Sequence, residues 1–140
     1  MRQEEKEMLY KDLCSRLPYG VKCEVYGRIG VLDEVTTFYG VGVTYSNGQD
    51  TTCRIDECKP YLFPISGMTV EQRCKVQSLL PDNCTISFTN SKFEFYGEDY
   101  HEIKLEQFEK IFNLFNMWHL DYRGLIPMGL AKDATGLNMY

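Results

Sequence analysis

Within the six consecutive residues Trp118-His119-Leu120-Asp121-Tyr122-Arg123 stand an imidazole, a carboxylate, a phenol and a guanidinium. If a helix runs through Tyr122, His119 and Arg123 fall i,i+4 on one face, a geometry suited to an anion. Arginine supplies a planar fork of donors there, and histidine a proton exchanger near neutral pH. His119, Asp121, Tyr122 and Arg123 are therefore the candidate ligand-binding residues. The same residue types have a structural reading. A helix C-terminus favours His and Arg through its dipole, and Asp121 pairs with Arg123 or caps the next turn.

A second candidate is aromatic. The chain holds 10 Tyr, 8 Phe and 1 Trp. Tyr39, Tyr45, Tyr61, Phe63, Tyr96 and Tyr100 exceed what one small core is sure to hide. Rings with an apolar body and a polar tip are favoured at interfaces, so Tyr39, Tyr45, Tyr61 and Phe63 form the candidate interaction surface. Placement in the core or at its edge is the competing reading.

Other chemistry is weakly signalled. No Gly-x4-Gly-Lys-Ser/Thr phosphate loop, Gly-x-Ser-x-Gly elbow or His-Glu-x-x-His pair occurs. Gly40-x-Gly42 lacks the third glycine of a dinucleotide fingerprint. Asp56-Glu57 and Glu98-Asp99 are adjacent, which on a strand sends the two carboxylates to opposite faces. No catalytic residue and no cofactor is assigned. Among Cys14, Cys23, Cys53, Cys58, Cys74 and Cys84, only Cys53-x4-Cys58 approaches the spacing of zinc ligands, and His101 and His119 supply no second pair. The irregular spacings and the absence of a secretory signal point to reduced thiols in a cytoplasmic protein, without a metal site.

The chain has 140 residues, 15 Lys+Arg against 20 Asp+Glu, and a formal net charge of −5. Its basic residues are scattered singly, which disfavours direct nucleic-acid binding. No apolar run is long enough to cross a membrane. An apolar fraction of 44% excludes a disordered chain. The acidic balance suits a protein partner, or a small anionic ligand held at the 118–123 cluster.

These residues need elements to position them. Leu9, Leu13 and Leu17 predict a helix from Gln3 to Leu17, stopped by Pro18-Tyr19-Gly20. The period then changes to two. Strands are expected at Val21–Tyr26, Val31–Thr37, Phe38–Tyr45 and Thr51–Ile55, with a turn at Asn47-Gly48 and a bend or bulge at Gly40 and Gly42. Lys59–Pro64, with two prolines, reads as an extended crossing segment. Thr69-Val70-Glu71-Gln72 is a capping box opening a helix over 70–80. A hairpin follows around Asn90-Ser91. Leu105, Phe108, Ile111, Phe112, Phe115 and Trp118 form one apolar stripe of a C-terminal helix over 105–123. The expected fold is α+β, a single domain over 1–140. It would hold a small, strongly bent antiparallel sheet or partly open SH3-like barrel at 21–63, with the 105–123 helix packed on it.

Three segments carry a resemblance: Lys11-Asp12-Leu13-Cys14-Ser15-Arg16-Leu17-Pro18-Tyr19-Gly20-Val21, the run from Asp56 to Thr69, and His119-Leu120-Asp121-Tyr122-Arg123-Gly124-Leu125-Ile126 with Gly129-Leu130-Ala131. Together they resemble a family of small proteins encoded by gut Bacteroidales, their prophages and related phages. The resemblance spans nearly the whole chain. It implies a setting, a phage or mobile element in an anaerobic bacterial cytoplasm, and carries no activity, cofactor or catalytic residue. The leading expectation is a non-enzymatic accessory protein acting through protein–protein interaction. An anionic-nucleotide binder, such as an anti-defence factor, is the alternative. A small hydrolase or transferase is the third, and it needs a concave pocket with a Cys–His or carboxylate pair.

Overall fold

A computed structural model describes residues 1–89 and 92–140. Along the chain run α1 (Gln3–Arg16), β1 (Lys22–Val25), β2 (Arg28–Val35), β3 (Gly40–Tyr45), β4 (Asp50–Arg54), β5 (Cys58–Pro64), α2 (Val70–Ser78), β6 (Thr85–Thr89), β7 (Lys92–Tyr96), α3 (Leu105–Met117), β8 (Leu120–Asp121) and β9 (Lys132–Asp133). The class is α+β with a mixed sheet that is not closed. The chain gathers into two compact units, Met1–Leu62 with Leu125–Tyr140, and Phe63–Gly124. Each has its own buried cluster, where the chain length had suggested one core.

In the first unit, Leu9 and Leu13 of α1 are fully buried, as their spacing requires. Asp12 and Arg16 lie on the same face and are buried with them. Arg16 Nε sits 2.7 Å from Asp12 Oδ2 and its Nη2 sits 3.0 Å from Oδ1. Such a bidentate fit is what lets two charges leave water together.

Five strands of this unit stand in the order β4-β3-β2-β1-β5, with antiparallel neighbours. Parallel pairing of Tyr61 and Leu62 with Lys132 and Asp133 of β9 makes the sheet mixed. β4 and β5 occupy opposite edges, yet only Ile55–Glu57 joins them. That link reaches roughly 14 Å, whereas four strand spacings of a flat sheet span roughly 19 Å, so the sheet must curl. The glycine bend is present: the β2–β3 register slips between Leu32 and Glu34, opposite Val43 and Gly42. A Cβ on Gly42 would lie 2.9 Å from Asp33 Oδ1.

The crossing segment expected at Lys59–Pro64 is instead strand β5. Pro60 pairs with Cys23. Beyond it a phenol completes the ladder. The Lys22 N–H donates to Tyr140 Oη (2.7 Å), which donates to the Tyr61 carbonyl (2.9 Å).

The second unit begins with Phe63 and Pro64, paired in parallel with Leu120 and Asp121 of β8. The Thr69–Gln72 capping box forms as read, with Gln72 N–H to Thr69 Oγ1 at 3.1 Å and Thr69 N–H to Gln72 Oε1 at 3.0 Å. β6 and β7 pair antiparallel from Thr85↔Tyr96 to Thr89↔Lys92. The turn expected at Asn90-Ser91 lies outside the described residues. Ile65, Val76, Cys84, Ile111 and Phe115 are fully buried in this unit's core. Phe93 meets Phe115 edge-on at 5.5 Å, and Phe95 meets Phe108 at 5.4 Å.

The helix expected over 105–123 stops at Met117, and its buried apolar residues, Ile111 and Phe115, belong to this second cluster. Trp118 N–H closes the last turn on the Leu114 carbonyl, His119 takes the left-handed φ of +58°, and Leu120–Asp121 turn extended. Leu105, the first residue of the stripe, is exposed. Among the described residues no helix is long and apolar enough to cross a membrane.

Candidate functional site

The break after Met117 dissolves the i,i+4 face on which an anion site at His119 and Arg123 would depend. His119 and Asp121 are buried. The His119 carbonyl accepts from Phe63 N–H at 2.8 Å, so its backbone anchors the start of the β5–β8 pairing. Tyr122 lies against Phe112 and Phe115, with ring centroids 5.5 and 5.6 Å away. Its hydroxyl donates to Asn116 Oδ1 (2.9 Å) and accepts from Arg123 Nη2 (3.1 Å). Arg123 in turn covers the Tyr122 ring at 4.8 Å. The four polar residues are thus brought into one segment whose visible work is to tie the end of α3 to the core. Tyr122 and Arg123 are half-buried.

The four aromatic candidates separate. Tyr45 and Tyr61 are buried, each 6% exposed. The Tyr45 hydroxyl donates to the Val25 carbonyl (3.2 Å), and Arg28 stacks 3.8 Å from its ring. The Tyr61 hydroxyl donates to Glu24 Oε2 (3.2 Å), which also holds Lys132 Nζ at 2.6 Å. That ammonium keeps the Glu24 carboxyl below its ordinary value. Tyr39 is half-buried, edge-on to Tyr10 at 5.3 Å, and Phe63 is packed on the second unit's core. Tyr45 and Tyr61 are therefore core residues with satisfied hydroxyls, not open surface. The exposed rings in this part of the chain are Phe38, at 92%, and Tyr26, at 61%.

All six cysteines are free thiols. Cys23, Cys53 and Cys58 belong to one cluster, where the hydrogen bond to Cys58 and then burial push the Cys53 thiol up. A thiol held in its neutral form is a poor nucleophile. Among the described residues no group of three or more His, Cys, Asp or Glu is placed to hold a metal ion.

What the sequence reading did not find is an open trough in the second unit, about 430 Å³, lined by Arg73, Cys74 and Gln77 of α2 and by Ile86, Ser87 and Phe88 of β6. Two contacts brace its walls. Gln77 Nε2 donates to the Cys84 carbonyl at 2.6 Å, tying α2 to the entry of β6. The Arg73 guanidinium lies 5.6 Å from the Phe88 ring centroid and donates a long 3.4 Å hydrogen bond to the Ser66 carbonyl. A smaller hollow of about 200 Å³, lined by Phe63, Gly67, Thr69, Gln72, Trp118 and Leu120, lies in the same unit. Arg73 and Gln77 at i,i+4 were the available signal, since they put two long polar side chains on one face of a short helix. Comparison with protein-family models, with curated proteins and with solved structures finds no match to the chain.

Proposed function

We propose that the chain is a non-enzymatic binding protein that engages a segment of a protein partner in the trough between α2 and β6. One observation carries the reading: a concavity with apolar lining from Ile86 and Phe88, a guanidinium at its margin, and an open side. Its volume lies within the range of ligand sites, and its openness suits an extended chain more than an enveloped small molecule. The resemblance to Bacteroidales and phage proteins supplies the setting, an accessory factor of a mobile element. The curled sheet, a four-strand meander whose fifth strand crosses by one short turn from β4 to pair with β1, supports reading the first unit as an SH3-like barrel.

The second reading, an anionic small ligand at 119–123, draws support only from the Arg123–Tyr122 stack, because His119 and Asp121 are buried. The test is steric. Peptides are selected from a random library on the intact chain, then titrated against Ser87→Tyr, which fills the trough from a half-buried position. Loss of binding with an unchanged circular dichroism spectrum is expected. Undiminished binding would contradict the proposal.

A further inference from the structure

We propose that the trough takes an extended, acidic segment of the partner, laid as an added strand along the outer edge of β6 with a carboxylate against Arg73. The inference rests on the protein-binding reading above and names its occupant. Among the described residues β6 pairs only with β7, on one side. The residues lining the trough come from β6 and α2 and none from β7, and the incoming strand is placed on the side of β6 away from β7. In an edge strand every second residue directs its N–H and C=O outward, a template for a further strand. Ile86 and Phe88, two residues apart, share one face of β6: Ile86 is buried in the unit's core, and the half-buried Phe88 ring keeps an apolar edge for a side chain of an incoming strand.

The sign of the occupant follows from charge. The chain as a whole is acidic, with a net charge of −5. Among the described residues lining the trough, Arg73 is the one charged group, and no carboxylate lines it. Arg73 is exposed and spends one long hydrogen bond on the Ser66 carbonyl, while a guanidinium has five N–H donors in a planar fork that matches a carboxylate. Its position near the Phe88 ring limits its rotamers, so little ordering remains when a carboxylate arrives. An acidic segment would meet repulsion over much of this molecule and attraction here, which gives the contact its selectivity.

The trough contains its own reporter. Cys74 lines it and is exposed, and Cys14 on α1 is an exposed thiol in the other unit. Peptides selected from a random library on the intact chain are synthesised with their acidic residues intact or replaced by the matching amides. Maleimide labelling of Cys74 and Cys14 is followed by mass spectrometry, and affinity is measured for wild type, Arg73→Lys and Arg73→Glu. The expected result has three parts. The selected peptides are enriched in Asp and Glu, and they slow labelling at Cys74 but not at Cys14. Their affinity falls roughly tenfold or more on charge reversal or on amide replacement, with Arg73→Lys in between. Peptides that shield Cys74 without acidic preference, or with equal affinity for Arg73→Glu, would overturn the acidic assignment while leaving the trough as a protein-binding site. Shielding of Cys74 by self-association alone, read from a concentration-dependent mass in light scattering, would overturn it in favour of a second copy of this chain. Selected peptides that bind without shielding Cys74 would overturn both the inference and the reading on which it rests.

Discussion

At the scale of single residues, polar side chains here are occupied with holding backbone. Tyr140 shows it best. Its hydroxyl stands between the Lys22 N–H and the Tyr61 carbonyl, and burial pushes the phenol's pKa up. Tyr140→Phe leaves both backbone groups without that partner, and a loss of about 1–3 kcal/mol is expected in urea unfolding. Glu24 gives a pH dependence. Hydrogen bonding to Lys132, the largest cause, lowers its folded pKa, opposed in part by burial. A lowered carboxylate pKa stabilises the fold above the unfolded value, and that contribution fades as pH falls through the folded one. Unfolding midpoints from about pH 7 down to about pH 3 should therefore decline more gently in Glu24→Gln than in wild type. Equal slopes would show that the Glu24–Lys132 pair contributes nothing in solution.

At the scale of elements, local chemistry and tertiary packing divide what the sequence could reveal. The Thr69–Gln72 box and the Asn47-Gly48 turn were legible because each is closed by atoms within a few residues. Asn47 Oδ1 accepts from Gln49 N–H at 3.0 Å, and Gly48 takes a φ of +85°. The buried Asp12–Arg16 pair lies on the stripe formed by residues 9, 12, 13 and 16, but charge taken alone assigns both side chains to solvent. The end of α3 was not legible. Trp118 keeps the apolar spacing, and it is the left-handed His119 and the pairing with Phe63 that end the helix. β5 was obscured by its prolines, because Tyr140, far away in sequence, supplies the missing rung. Gly97 tests the packing between elements: its φ is +121°, and a Cβ there would lie 2.2 Å from the Asn83 carbonyl oxygen. Gly97→Ala should cost well over about 1 kcal/mol, more than Gly48→Ala, whose Cβ meets nothing. Similar losses for the two variants would contradict the close approach at Asn83.

At the scale of the molecule, two buried clusters imply two sets of consequences. Phe115 is fully buried among Phe88, Phe93 and Phe112, and Phe115→Ala should cost about 3–5 kcal/mol. Hydrogen exchange should then rise first in α2, β6, β7 and α3, while amides of β1 to β4 keep their protection. A uniform rise across both units would contradict separate cores. The trough belongs to this same scale, since it exists only where α2 and β6 come together, and no single segment announces it. Its role is tested most directly by mapping a selected peptide on the isotopically labelled intact chain, through amide chemical shifts and slowed exchange. The expected result is a set of perturbed amides concentrated on residues 73–77 and on β6, with new protection along its outer edge. Perturbation centred instead on residues 119–123, or confined to the first unit, would contradict the assignment of the trough as the binding site.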